Sequence, residues 1–149
     1  MKTNRQYIVE YTQLQKECDT LYHKAATELG LSDCAFWILY SLFDSQEEMK
    51  QSDICEAVSI SRQTVNSALK KLEKDGYVKL CKIKGKIGKS IHLTEQGNEF
   101  ATKKIKPLMK AEELACASFS EEEKETFLSI FSLLVNRLSV EINNSLEEK

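Results

Sequence analysis

"ISRQTVNSALKKLEKDGYVKL", residues 60–80, carries two patterns on one helix. Val65, Ala68, Leu69 and Leu72 recur at i, i+3, i+4 and i+7, the spacing of a narrow buried stripe. The rest of the surface holds Arg62, Gln63, Thr64, Asn66, Ser67, Lys70 and Lys71, which offer several kinds of donor and acceptor. Ser61 is placed to cap the helix and Gly76 to stop it. A face kept only for solubility needs charge alone. A mixture of guanidinium, amide, hydroxyl and ammonium groups suits a partner with its own pattern of donors and acceptors.

Upstream, Ser52 is expected to open a short helix carrying Ile54, Cys55 and Val58, and Ser59–Ile60 make a tight turn before Ser61. Two short helices around a tight turn, with polar residues early in the second, form a helix-turn-helix pattern. Downstream of Gly76 the period changes from 3.6 to 2. In "YVKLCKI" (77–83) Val78 and Leu80 alternate with Lys79 and Cys81, and "KSIHL" (89–93) alternates again after the glycine-containing turn "KGKIGK" (84–89). A basic β-hairpin directly behind a helix-turn-helix is the element order of a winged helix.

Further out the chain is helical. Tyr7, Tyr11, Leu14, Cys18, Leu21 and Ala25 predict a first helix over 5–29, buried along one stripe and ended by Gly30. Ser32 caps a second helix, "AFWILYSLF" (35–43), in which Phe36, Leu39, Tyr40 and Phe43 share a face; 44–51 reads as polar loop. Thr94 caps a long helix reaching Ala117, with Phe100, Ile105, Leu108 and Leu114 apolar and a kink at Pro107. "SEEE" (120–123) is a capping box opening a last helix whose apolar face is Phe127, Ile130, Phe131, Leu134 and Leu138. The outer helices outrun the core of a winged helix, and a second copy of the chain is the economical cover for their stripes. The fold class is therefore mainly α with a small β-hairpin: a winged helix-turn-helix lobe at 31–93, and helices for dimerisation at 1–30 and 94–149.

Composition limits the functions available. A chain of 149 residues with 42% hydrophobic content makes one globular domain, and it contains no apolar run able to span a bilayer and no signal-type N-terminus. A cytoplasmic protein is expected. Cysteines at 18, 34, 55, 81 and 116 show no CxxC pair and read as reduced thiols. The formal net charge of −2 hides an asymmetry: residues 1–60 sum to −5, 61–92 to +7 and 93–149 to −4. A local basic field attracts a polyanion whatever the total charge. The run from Lys79 to Lys89, with five lysines and no carboxylate, is more than a solvated helix face requires.

The order of elements, with "SDICEAVSISRQTVNSALKKLEKDGYV" (52–78) and "SIHLTEQG" (90–97), resembles the MarR family of bacterial transcriptional regulators, the multiple antibiotic resistance regulators. The resemblance covers almost the whole chain. It implies a homodimer built from the terminal helices, with two winged-helix lobes on successive major grooves of a near-palindromic operator in double-stranded DNA. It also implies release by a small lipophilic ligand, a metal ion or an oxidant, and usually repression. The chain departs from the family in the wing, which commonly carries an Asp and an Arg near its tip. "KIKGKIGKS" (82–90) has neither, so Lys84, Lys86 and Lys89 are expected to bind phosphates rather than read the minor groove.

A helix in the major groove meets base edges whose donors and acceptors differ for each base pair, which is what the mixed face is for. Arg62 suits guanine or else a phosphate, and Gln63 and Asn66 suit adenine. Ser61, Thr64 and Ser67 are candidates for phosphate or base contacts, and Lys70 and Lys71 for the backbone. Ser61 has an equally good role as a cap alone, and Lys71 as a solvated charge. His23 and His92 lack zinc-motif partners, so neither a metal nor another cofactor is expected. Cys34, near a helix N-terminus, is the best placed of the thiols for redox sensing, whereas acidic neighbours work against Cys18. Trp37, Phe36 and Tyr40 read as core. No catalytic or nucleotide-cradling motif is present, so the protein is not expected to be an enzyme. The alternatives are a winged-helix module for an acidic protein partner and a redox-sensing regulator acting through a cysteine.

Overall fold

The computed structural model describes residues 1–45, 47–83, 85 and 88–147, which fall into two units, 1–106 and 107–149. In the first, α1 (Asn4–Glu28) leads into α2 (Asp33–Asp44), β1 (Met49–Lys50), α3 (Gln51–Val58), α4 (Arg62–Lys74), β2 (Val78–Lys82), β3 (Lys89–Leu93) and α5 (Glu95–Phe100). A π-helical stretch, Ala101–Ile105, continues α5 into α6 (Lys106–Cys116), and α7 (Glu121–Glu147) follows.

The core forms where α2 packs against α3 and α4. Phe36, Ile38 and Leu39 of α2, Ile54 of α3 and Val65 of α4 are fully buried, and Leu69 and Leu72 nearly so. Ser32 caps α2 by accepting from the Ala35 N–H at 3.2 Å, and Ser61 caps α4 by accepting from the Thr64 N–H at 3.3 Å. Between α3 and α4 the chain turns through Ser59, a left-handed residue at φ 51°.

At the end of α4 the Gly76 N–H bonds to the Glu73 carbonyl at 3.1 Å and the Tyr77 N–H to the Leu72 carbonyl at 2.9 Å. This paired closure requires the left-handed Gly76, φ 83°. The entry to α5 is tied to the same place. The Thr94 hydroxyl donates to the Gly76 carbonyl and accepts from the Gly97 N–H, while the Thr94 N–H donates to the Tyr77 carbonyl at 3.0 Å. "DGY" and "LTEQG" are thus two halves of one knot, and Gly97 lies so close beneath it that a Cβ would sit 1.9 Å from the Tyr77 oxygen.

The structure differs from the sequence expectations at several points. Residues 44–51 are not all loop, because Met49 and Lys50 pair with Ile91 and Ser90 as an edge strand, giving a sheet of order β1-β3-β2. The α3 cap is Lys50 rather than Ser52: its N–H donates to the Asp53 carboxylate at 2.7 Å, and Ser52 lies inside the first turn. The α1 stripe is no departure, since a second copy is its expected cover: within the first unit Tyr7, Leu14 and Leu21 are 56%, 66% and 69% exposed and Cys18 is exposed, while Tyr11 and Ala25 are half-buried. The buried side of α1 is centred on Ala26. At Pro107 the expected irregularity is a change of winding, with the Lys106 N–H reaching back five residues to the Ala101 carbonyl. The widened turn contains Lys103, whose carbonyl the proline ring would otherwise meet.

In the second unit the capping box at Ser120 and Glu123 forms as read, with both bonds present at 2.8 and 3.2 Å. The backbone N–H of Ser120 holds the Glu123 carboxyl below the ordinary carboxylate range. On α7, Phe127 and Ile130 are exposed while Phe131, Leu134 and Leu138 are half-buried. Among the described residues, no helix is long and apolar enough to cross a membrane.

The close approach at Gly97 has a measurable consequence. Gly97→Ala should cost about 1–3 kcal/mol through overpacking against backbone that cannot yield, lowering the midpoint of thermal unfolding by several degrees. A melting curve superimposable on the parent's would contradict the packing of the knot.

Candidate nucleic-acid interface

At about 100° per residue, Asn66, Lys70, Gln63 and Ser67 centre opposite the buried Val65, Leu69 and Leu72. Arg62 lies on one flank of that arc and Thr64 with Lys71 on the other. All eight of the nominated positions on and before α4, from Ser61 to Lys71, are exposed. The apolar stripe therefore presents the whole mixed face to solvent.

Hydrogen bonding divides the set. The Ser61 hydroxyl accepts from the Thr64 N–H and lies 2.9 Å from the Thr64 hydroxyl, so both side chains are engaged in the cap. The Ser67 hydroxyl donates back to the Gln63 carbonyl at 3.1 Å. Lys71 is paired with Asp75 at 3.6 Å, one turn on. Among the described residues, Arg62, Lys70 and Lys89 make no ion pair. The side chains with uncommitted polar groups are Arg62, Gln63, Asn66 and Lys70, with Lys89 on the wing. Lys84 and Lys86 lie outside the described residues.

Arg62, Gln63 and Asn66 come together with Gln51 around an open cleft of about 470 Å³. Gln51 belongs to α3 and was not singled out from sequence, because only the turn between the two helices brings it beside Arg62. A second cleft, about 440 Å³, shares Arg62 and Gln51 and adds Lys50, Ser52 and Lys89.

In the hairpin, Val78, Leu80 and Lys82 stand opposite Leu93, Ile91 and Lys89. Two apolar pairs are followed by a like-charged pair on the same face, where the strands run out beyond the core. Directly opposed lysines destabilise an antiparallel pair. Such a pair points to a use for the charge outside folding.

A family model described as winged helix-turn-helix DNA-binding matches residues 38–79, from the second turn of α2 to the start of the wing. In Bacillus subtilis the HTH-type transcriptional regulator YybA is 28% identical over 144 residues, covering 93% of this chain and 89% of that protein. The HTH-type transcriptional repressor YetL of the same organism is 29% identical over 115 residues, covering 74% of this chain and 68% of its own. Among solved structures, a MarR family regulator from Neisseria meningitidis superposes with a TM-score of 0.79 at 20% identity, covering 94% of this chain and 98% of its own. The chain has the winged helix-turn-helix fold of MarR family regulators and is similar to HTH-type transcriptional regulators. S. aureus MepR in its DNA-binding conformation shares the MarR-like fold with a TM-score of 0.73 at 21% identity, over 89% of this chain and 98% of that one. Both Bacillus relatives carry the names of HTH-type transcriptional regulators.

The other nominated residues sort by burial. Phe36 is core, but Trp37 and Tyr40 are only half-buried, in a cluster of tilted and edge-on rings with Tyr22 and Phe36 at ring separations of 4.7–6.3 Å. His23 is exposed and sits 2.9 Å from the Asp33 carboxylate, and His92 Nε2 is 2.8 Å from the Ser90 hydroxyl. The expected advantage of Cys34 as a thiolate is reversed. It is 7% exposed, and burial, reinforced by the neighbouring Cys55, pushes its thiol up. Cys55 is half-buried and Cys116 exposed.

Because the thiolate is the reactive form and Cys34 is both buried and held protonated, iodoacetamide at neutral pH should spare Cys34 in the folded protein and label it once the chain is unfolded. Peptide mass mapping checks this. Labelling of Cys34 as fast in the folded protein as in the unfolded chain would restore it as a sensor.

Proposed function

We propose that the chain acts as a homodimer that binds a near-palindromic operator in double-stranded DNA and represses transcription until a small ligand releases it. The observation that carries the DNA reading is the face of α4, where Arg62, Gln63, Asn66 and Lys70 are exposed beside a basic wing. Gln63 and Asn66 have amides able to pair bidentately with adenine, Arg62 meets guanine or a phosphate, and Lys70 a phosphate. The hydroxyls of Ser61, Thr64 and Ser67, already engaged, serve the helix first, and Lys71 contributes charge at the margin.

Dimerisation is supported by the uncovered apolar residues of the terminal helices. Tyr7, Leu14 and Leu21 on α1 and Phe127, Ile130 and Leu133 on α7 are each more than half exposed. Apolar exposure on that scale marks an interface. We accordingly assign 31–93 as the DNA-binding lobe and 1–30 with 94–149 as the dimerising helices, in a cytoplasmic protein. Repression follows the relative named as a repressor. The half-buried Trp37 and Tyr40 lie on the helix that seats α4, which offers a lipophilic ligand a route to the reading face.

The test is binding to a fluorescent duplex from upstream of its own coding region, against a scrambled duplex, across a salt series. Tight, selective binding that falls log-linearly with salt is expected. Equal weak binding to both duplexes would favour a module for an acidic protein partner instead. Arg62→Ala should cost about 1–3 kcal/mol of operator binding, and Asn66→Ala should relax the preference at one base position in each half-site. Sedimentation equilibrium should return twice the 17.0 kDa chain mass, and a monomer at micromolar concentration would remove the dimer.

A further inference from the structure

The cleft between α3, α4 and the wing has cations from three separate parts of the chain: Lys50 at the end of β1, Arg62 at the start of α4 and Lys89 at the start of β3. Gln51 and Ser52 complete its polar wall. Leu80 and Ile91 form an apolar floor, so the field of the three charges is concentrated rather than dissipated in water. Asp53, the nearest carboxylate along the chain, is engaged by the Lys50 N–H at 2.7 Å and the Ser52 hydroxyl at 3.2 Å and does not line the cleft.

Two further observations point to an anion here. Lys89 stands directly opposite Lys82 across the hairpin, a pairing that opposes folding until something negative lies against it. Arg62 borders both this cleft and the one containing Gln63 and Asn66, so it stands at the boundary between the base-reading face and the wing.

We propose that this cleft seats one phosphodiester of the bound duplex, held by Lys50, Arg62 and Lys89, and that this single phosphate sets the register between α4 and the wing. The assignment rests on the DNA-binding function proposed above. It gives Arg62 to the backbone and leaves base reading to Gln63 and Asn66. It also adds Lys50 and Gln51 to the interface, two residues outside both the recognition helix and the wing.

The test compares the full-length protein with Lys50→Ala and Lys50→Arg on operator and scrambled duplexes across a salt series, with circular dichroism confirming the fold. Lys50→Ala should weaken both duplexes by a similar factor, about tenfold, and reduce the salt slope by about one, with Lys50→Arg restoring both. A neutral methylphosphonate at that backbone position removes the partner of all three cations, so it should weaken the parent by more than Lys50→Ala does and should weaken Lys50→Ala by a smaller factor than the parent. Inorganic phosphate at constant ionic strength, followed by the amide resonances of Gln51 and Lys89, tests for a free small anion. Parent-like affinity and slope in Lys50→Ala overturn the proposal while leaving DNA binding intact, and so does saturable phosphate binding at Gln51 with duplex affinity unchanged in the variant. Failure of the parent to bind any duplex overturns both this assignment and the function on which it rests.

Discussion

The seating of Val65, Leu69 and Leu72 against α2 is the interaction on which the rest depends. Each buried aliphatic side chain contributes roughly 1.5–3 kcal/mol relative to exposure, so the stripe holds α4 firmly to a core of Phe36, Ile38, Leu39 and Ile54. Its narrowness matters as much as its strength. Only about a third of the helix circumference is used for packing, and the remainder is free to carry side chains chosen for a partner. A shift of the stripe by one residue would turn the reading face through about 100° and remove Gln63 and Asn66 from the groove.

The knot at Gly76, Thr94 and Gly97 adds a second constraint. It fixes the exit from α4, the base of the hairpin and the entry to α5 to one another through backbone bonds and one hydroxyl. The base of the hairpin is thereby tied to the end of the recognition helix. A basic strip on such a frame can meet phosphates at defined positions, whereas the same charges on a loose tail would bind any polyanion alike.

Much of this was readable in the sequence, because the decisive signals are local. Ser61 and Gly76 mark the ends of α4 by capping chemistry, the i, i+3, i+4, i+7 set marks its buried side, and alternation marks β2 and β3. What escaped was non-local or too short to have a period. Met49–Lys50 is a strand only because β3 lies beside it, and two residues cannot display alternation. That pairing carries Lys50 and Gln51 to the edge of the recognition helix. Cys34 looked favourable for a thiolate because its position near the start of α2 is visible in sequence while its burial is not.

The central claim is that two copies of α4, each held by its own core, lie in successive grooves of one duplex. Hydroxyl-radical footprinting on the duplex upstream of the protein's own coding region tests this most directly. The account predicts two symmetric protected patches whose centres lie about one helical turn apart, roughly 10 base pairs. A single protected patch, or uniform weak protection along the fragment, would contradict it.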